Sequence, residues 1–258
     1  MKVTRLSTTP IKGLALHHPP TIEVNASGAV GDRLFHLVDD DGALVSITAV
    51  GGLASLLATF DADSALLVVT EQGTVVAEGI VVAGDTCDAD FFGYKVVAGR
   101  LTPGPWDAVF SERAGQSLRL VMADSPAGGH DVEPLSLLSA ASTAALSAAA
   151  GLDDVDSRRF RMLVEFDGVD AHAEDLWLGR QLQVGSAVLE VGSPVQRCAA
   201  TTRNPDTGEI DLKTLSLIGS YRGRQESIFG LGFNFGVYAR CVTPGVMSVG
   251  DPLTLVGD

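Results

Sequence analysis

Charge is scarce in this chain, and cations are scarcer still. Only 19% of the 258 residues are charged, and 18 Lys and Arg stand against 32 Asp and Glu, a net charge of −14. Such a balance argues against a nucleic-acid backbone or an anionic membrane as partner. It also makes any local group of cations stand out. Cysteine is sparse: Cys87, Cys198 and Cys241, with no C-x-x-C pair, which excludes a disulfide framework and a structural zinc pattern. No apolar run approaches the roughly 20 residues needed to span a bilayer. The first ten residues, M-K-V-T-R-L-S-T-T-P, lack the apolar stretch of a signal peptide. Repeats and low-complexity tracts are missing too. A cytoplasmic location is the expectation. What the chain has in quantity is hydrophobic residues, 46%, enough to bury a sizeable core and to exclude disorder.

The pattern is one of many short apolar runs between turn signals. Strands are expected at 1–8, 21–25, 34–38, 44–48, 94–98, 118–122, 162–166, 233–242 and 253–256. A hairpin joins 65–70 to 74–82 around Gln72-Gly73, and another turns at Gly185-Ser186 within 182–195. Residues 50–60 fit a short helix or turn, 106–113 and 213–222 short helices. Residues 134–150, rich in Ala, Leu and Ser and stopped by Gly151, predict the clearest helix. The fold class is therefore mainly β with added helices (α+β), of barrel or sandwich type. The Pro- and Gly-rich stretch S-P-A-G-G-H-D-V-E at 125–133 marks a domain boundary, giving domains 1–124 and 125–258.

The chemistry concentrates at 194–209, P-V-Q-R-C-A-A-T-T-R-N-P-D-T-G-E. Cys198 lies between Arg197 and Arg203, and nearby positive charge favours the thiolate, which is both nucleophile and metal ligand. A packing role as a small hydrophobe fits a lone cysteine equally well. Asn204-Pro205-Asp206 is a turn, and Gly208 is free to take a positive φ. Lys12 sits in the loop P-I-K-G-L. Arg158, Arg159 and Arg161 form a cluster that suits phosphate or carboxylate, or surface ion pairs with Asp153, Asp154 and Asp156. Ser136 or Ser139 in the first turns of the 134–150 helix fits an anion site or an ordinary cap. His172 beside Glu174 and Asp175 fits a metal site or a solvated loop. No G-x-S-x-G accompanies the histidines, which disfavours a hydrolase.

The order P-L-S-L-L-S-A-A-S, R-F-R, A-E-D-L-W, R-C-A-A-T-T-R-N-P-D-T-G-E, S-Y-R and V-G-D-P-L resembles the MOSC domain, the module named after the C-terminal domain of molybdenum cofactor sulfurase. P-I-K-G and G-D-R in the N-terminal half resemble the β-barrel domain that precedes MOSC in the mitochondrial amidoxime-reducing component and its bacterial relatives. The resemblance implies a MOSC-type β-barrel domain preceded by a second β-barrel domain. It implies a molybdenum cofactor, a molybdopterin, whose metal is bound by the catalytic Cys198. Lys12, Arg33, Ser139, Arg161, Arg197 and Asn204 are implied as cofactor-binding. The sequence departs from the family where Met162 and Leu163 follow Arg161 in place of Pro-Asn, where Glu133 precedes the 134–150 segment and would repel a phosphate, and around Thr48, where S-I-T-A-V-G-G replaces T-x-R-x-x-P.

The activity implied is an oxidoreductase that removes oxygen from a small N-hydroxylated substrate. The chain has no ferredoxin run, haem-attachment motif or G-x-G-x-x-G, so neither an iron–sulfur cluster nor a flavin is expected, and an external electron-donor protein is implied. The alternative is a sulfur- or cofactor-carrier protein in which Cys198 holds a persulfide or the pterin without redox turnover.

Overall fold

The computed structural model describes residues 1–257. Twenty short strands and three helices, α1 (Pro105–Ala114), α2 (Ala140–Ala150) and α3 (Thr214–Arg222), make a mainly β molecule with helices at its margins. The larger sheet has seven strands, in the order Lys2–Leu6, Val164–Asp167, Leu135–Ser139, Asn234–Thr243, Ala187–Gln196, Gln181–Val184 and Leu253–Leu255. A bridge between Lys2 and Pro252 draws its edges together, so the sheet is a nearly closed barrel. A five-stranded sheet built from Leu44–Val45, Phe35–Val38, Arg119–Ala123, Lys95–Leu101 and Thr86–Phe91 organises the N-terminal half. Beside it lies a meander of Leu56–Asp61, Leu66–Glu71 and Thr74–Ile80. Gln72 and Gly73 both take positive φ (49° and 80°), the turn geometry whose twist matches paired antiparallel strands.

Each half has its own core. Phe35, Leu56, Leu67, Trp106 and Phe110 anchor one; Leu137, Val164, Phe166, Leu189 and Val237 anchor the other. Residues 125–133 follow the last residue of the first core, yet strands from the start of the chain join the sheets of the second. Lys2–Leu6 pairs antiparallel with Val164–Asp167, and Thr21–Asn25 with Gly245–Ser248. Val3, Leu6, Ile22, Val24 and Ala29 thus belong to the C-terminal core.

The helix expected at 134–150 begins later. Leu135–Ser139 is a strand, parallel to Val164–Asp167 on one side and antiparallel to Asn234–Thr243 on the other. As a central strand buried on both faces it carries the continuous apolar run L-S-L-L, which helix and strand share. Only then does Ser139 cap α2, its side chain accepting from Ser142 N. Residues 50–60 likewise divide, into a 3₁₀ turn at Gly51–Ser55 and the strand Leu56–Asp61. The strand expected at 44–48 is shorter, Leu44–Val45, leaving Thr48 in a turn.

Candidate functional site

The long strand Ala187–Gln196 delivers Cys198 to its place. Its partner strand holds it through Gln196 opposite Asn234, and Arg197 N donates to Phe233 O at 2.8 Å. Cys198 then opens the 3₁₀ turn Ala199–Thr202, with its side chain exposed. The Arg197 guanidinium runs beneath it, donating to Phe160 O (2.8 Å) and Phe235 O (2.7 Å) and lying 5.3 Å from the Phe160 ring centre. Burial pushes Arg197 down to about 10; its acceptors are carbonyl oxygens and the Met162 sulfur, not carboxylates.

Cys198 borders a cavity of about 140 Å³ between the two halves. Lys12, Arg33, Arg161 and Arg197 all line it. Lys12 reaches it because its own N donates to Phe35 O (2.8 Å), and Gly13, at φ +94°, packs against the backbone of Ser46 and Ile47. The Lys12 Nζ lies 2.8 Å from Asp131 Oδ1. Burial lowers the Lys12 pKa, the nearby Asp131 raising it and the Arg33 charge lowering it further. Arg33 pairs with the buried Asp32 carboxylate, which also accepts from Thr9 N at 2.8 Å. Arg161 donates to Leu14 O at 2.6 Å, and burial with the Arg33 charge pushes it down to about 10. Arg33 and Arg161 both hold positive φ, 50° and 52°, a backbone state that costs a non-glycine residue roughly 1 kcal/mol or more and that clusters at functional sites.

The arginine cluster separates into two roles. Arg158 pairs with Asp156 and with Asp206, and Arg159 with Asp211. Arg161, the one of the three with no carboxylate partner among the described residues, donates to Leu14 O and lines the cleft with the other cations.

Two residues expected to touch a cofactor lie elsewhere. Ser139 is fully buried, its hydroxyl shared with Ser142 and the Glu174 carboxylate; a strand end sealed in this way presents no helix start to the cavity. Asn204 builds the turn after the cysteine: its Oδ1 accepts from Asp206 N and Thr207 N, and its amide donates to Asp211. The His172 group resolves into structure as well. Glu174 is bound to Ser139 and Ser142, and Asp175 pairs with Arg222. Among the described residues no group of three His, Cys, Asp or Glu is placed to hold a metal ion.

Other lining residues carry no sequence motif. Thr48 Oγ1 lies 3.9 Å from Cys198 Sγ. Tyr238, on the strand Asn234–Thr243, shares the cavity, and burial, with the Asp131 charge, pushes its phenol above the ordinary range. Asp131 and Glu133 come from the segment read as a linker; the alternation of strand side chains could have flagged Tyr238 once its strand was placed. A second cavity of about 360 Å³ abuts the first, sharing Ile47, Arg159, Arg161 and Ala200 with it. No helix of the described residues is long and apolar enough to cross a membrane.

Comparison with known proteins gives the family. The chain is 27% identical over 256 residues to mitochondrial amidoxime-reducing component 1 of Homo sapiens, covering 90% of this chain and 74% of that protein. Mitochondrial amidoxime reducing component 2 of Bos taurus is 34% identical over 127 residues, 48% of this chain and 37% of the relative. Molybdenum cofactor sulfurase of Caenorhabditis elegans is 26% identical over 240 residues, 89% of this chain and 33% of that protein. The family model of the MOSC domain matches residues 124–254, the half that carries Cys198, Arg161 and the nearly closed barrel, and the chain belongs to the MOSC domain family.

Proposed function

We propose that the cleft binds a molybdenum pterin cofactor through Cys198 and that the chain is an oxidoreductase acting on small N-hydroxylated molecules. The observation that carries this is the exposed Cys198 thiol at a cavity lined by Lys12, Arg33 and Arg161. The donor set fits such a group. A soft sulfur ligand suits a soft redox metal, and a lone thiol suits a metal that arrives with an organic ligand of its own. Buried cations gathered at one cleft, Arg161 among them with a carbonyl and no carboxylate as its partner, suit the anionic part of that ligand.

When bound, such a cofactor supplies the two-electron redox chemistry. The protein's residues do the rest. Lys12, Arg33 and Arg161 supply fixed positive charge, and Arg197 anchors the cysteine turn from below. Tyr238 keeps its proton at working pH, so its Oη can donate a hydrogen bond to an oxygen in the cavity. Overall, the substrate N–O bond breaks, two electrons and two protons are taken up, and the oxygen leaves as water. The electrons come from an external donor protein.

A second reading, a sulfur- or cofactor-carrier, is favoured by the openness of Cys198 and by the likeness to a molybdenum cofactor sulfurase. Metal analysis separates the two. In protein made in a cofactor-competent host, wild type should hold near-stoichiometric molybdenum and Cys198→Ala should lose it with an unchanged circular dichroism spectrum, since the side chain is exposed. Equal molybdenum in both proteins rules out Cys198 as the ligand. Absence from both favours the carrier reading, which sulfane-sulfur analysis of Cys198 then tests.

A further inference from the structure

The second cavity, of about 360 Å³, has no part in the chemistry at Cys198. It shares Ile47, Arg159, Arg161 and Ala200 with the cleft, but Lys12, Arg33 and Cys198 do not line it. Four of the chain's 18 Lys and Arg residues do: Arg158, Arg159, Arg161 and Arg203. They come from two separate segments. Three stand in or just after the 3₁₀ turn Ser157–Phe160, and Arg203 stands in the loop that follows Cys198. So local a gathering of cations is out of keeping with a chain of net charge −14.

The carboxylates nearby do not balance these arginines. Arg158 pairs with Asp156 and Asp206, and Arg159 with Asp211. Of those three acids only Asp206 lines the cavity. Arg161 donates to Leu14 O at 2.6 Å, and Arg203 to Gly208 O and Thr48 O, each at 2.9 Å. Neither has a carboxylate partner among the described residues. Arg159 is only 9% exposed, and its buried Nε has no hydrogen-bond partner among the described residues. A buried donor without an acceptor is costly, and a bound anion removes that cost. Leu16, Ile47, Ala54 and Pro205 give the same cavity an apolar side.

We propose that this second cavity binds a small organic phosphate, with its phosphoryl group among Arg158, Arg159, Arg161 and Arg203 and its organic part against Leu16, Ile47 and Pro205. The donors favour phosphate over carboxylate. One guanidinium fork satisfies a planar carboxylate, whereas a tetrahedral dianion accepts from several sides, and here cations converge from two segments. The site goes beyond the proposed function, since it needs neither Cys198 nor a metal. Arg159 and Arg161 stand in the walls of both cavities, so the occupant bears on the charge of the cleft without entering it.

Calorimetric titration of the full chain, prepared without cofactor, tests the site at constant ionic strength and about pH 8, where a phosphate monoester carries close to two charges. The probes are phenyl phosphate, inorganic phosphate and benzoate. Phenyl phosphate should bind at least about tenfold more tightly than benzoate, and several-fold more tightly than inorganic phosphate. Arg203→Gln should weaken phenyl phosphate by about tenfold. Gln72→Glu, which puts a negative charge on an exposed residue of this lining, should weaken it several-fold. Lys12→Gln, in the cleft alone, should leave it unchanged. Benzoate binding as tightly as phenyl phosphate overturns the proposal, as does no detectable heat with phenyl phosphate at millimolar concentration. A loss with Lys12→Gln as large as that with Arg203→Gln also overturns it, because the anion then sits in the cleft. A thermal melt of each variant confirms that it is folded. Should Arg203→Gln not fold, Gln72→Glu decides, and unchanged binding there overturns the proposal. Because the titration needs no metal, its failure leaves the molybdenum result standing, and a chain without molybdenum can still bind the phosphate.

Discussion

At the scale of single residues, the cost of gathering cations between two cores is visible in the neutral groups around them. His36 is fully buried, neither ring nitrogen has a partner among the described residues, and its ring meets Phe91 edge-on at 5.1 Å. Lys12 and Lys95 lie over that same Phe91, at 5.6 and 4.9 Å from its centre. Burial, with the Lys12 and Lys95 charges, pushes His36 from 6.5 down to about 3. The unfolded chain therefore takes up a proton near pH 6.5 that the folded chain refuses until about pH 3. The stability contributed is complete above pH 6.5 and is lost as pH falls from there towards 3, at up to about 1.4 kcal/mol per pH unit. His36→Phe should remove this share: its urea midpoint should fall less steeply than that of wild type between pH 6.5 and 4. Parallel slopes would show that His36 is not neutral in the fold. Little of this was legible in the sequence. Cys198, Lys12, Arg33, Arg161 and Arg197, which stand in motifs, meet at one cavity, whereas Tyr238 and Asp131 reach it only through the fold.

At the scale of elements, the loop after Cys198 is clamped onto the other half by two glycines. Gly208, at φ +74°, approaches Gly51 so closely that an added Cβ would lie 1.8 Å from Gly51 O, and a Cβ on Gly51 would lie 2.2 Å from Gly208 O. Arg203 fastens the same joint, donating to Gly208 O and to Thr48 O, each at 2.9 Å. The turn that carries Cys198 is thus referenced to the residue, Thr48, that faces its sulfur. Gly208→Ala adds both a clash and a backbone penalty of roughly 1 kcal/mol, so it should lower the thermal midpoint by several degrees and reduce cofactor retention. An unchanged midpoint would mean that the clamp is slack. The positive φ of Gly208 and the turn at Asn204-Pro205-Asp206 were legible because local chemistry sets them. The hairpin at Gln72-Gly73 was legible for the same reason. The strand Leu135–Ser139 was not, since its hydrogen-bond partners, Val164–Asp167 and Asn234–Thr243, come from distant sequence. Thr86–Phe91 escaped notice through Asp88 and Asp90, which strands disfavour and which here point outward while Ala89 and Phe91 turn in.

At the scale of the whole molecule, the family match and the unit of folding do not coincide. The MOSC match begins at residue 124, yet the sheet it covers is completed by Lys2–Leu6, and Thr21–Asn25 pairs onto Gly245–Ser248. Val3, Leu6, Ile22 and Val24 are all buried in that C-terminal core. Burying each is worth roughly 1.5–3 kcal/mol, a sum comparable to the 5–15 kcal/mol by which an ordinary domain is stable. Without them the strand Val164–Asp167 becomes an exposed edge and the barrel loses its closing bridge. Residues 125–257 expressed alone should therefore show no cooperative melt and no near-ultraviolet circular dichroism. The missing strands, not the N-terminal core, should be what the fragment lacks. Gly129 packs against the carbonyl of Arg33, where an added Cβ would lie 2.0 Å from that oxygen, so the chain ends on either side of the N-terminal core are adjacent. A chain in which a short Gly-Ser linker replaces residues 34–127 should recover a cooperative melt. If residues 125–257 melt cooperatively by themselves, the N-terminal strands are an accessory. If neither chain does, the contact of the two cores around Cys198, and not the shared sheet, is what makes the halves one folding unit.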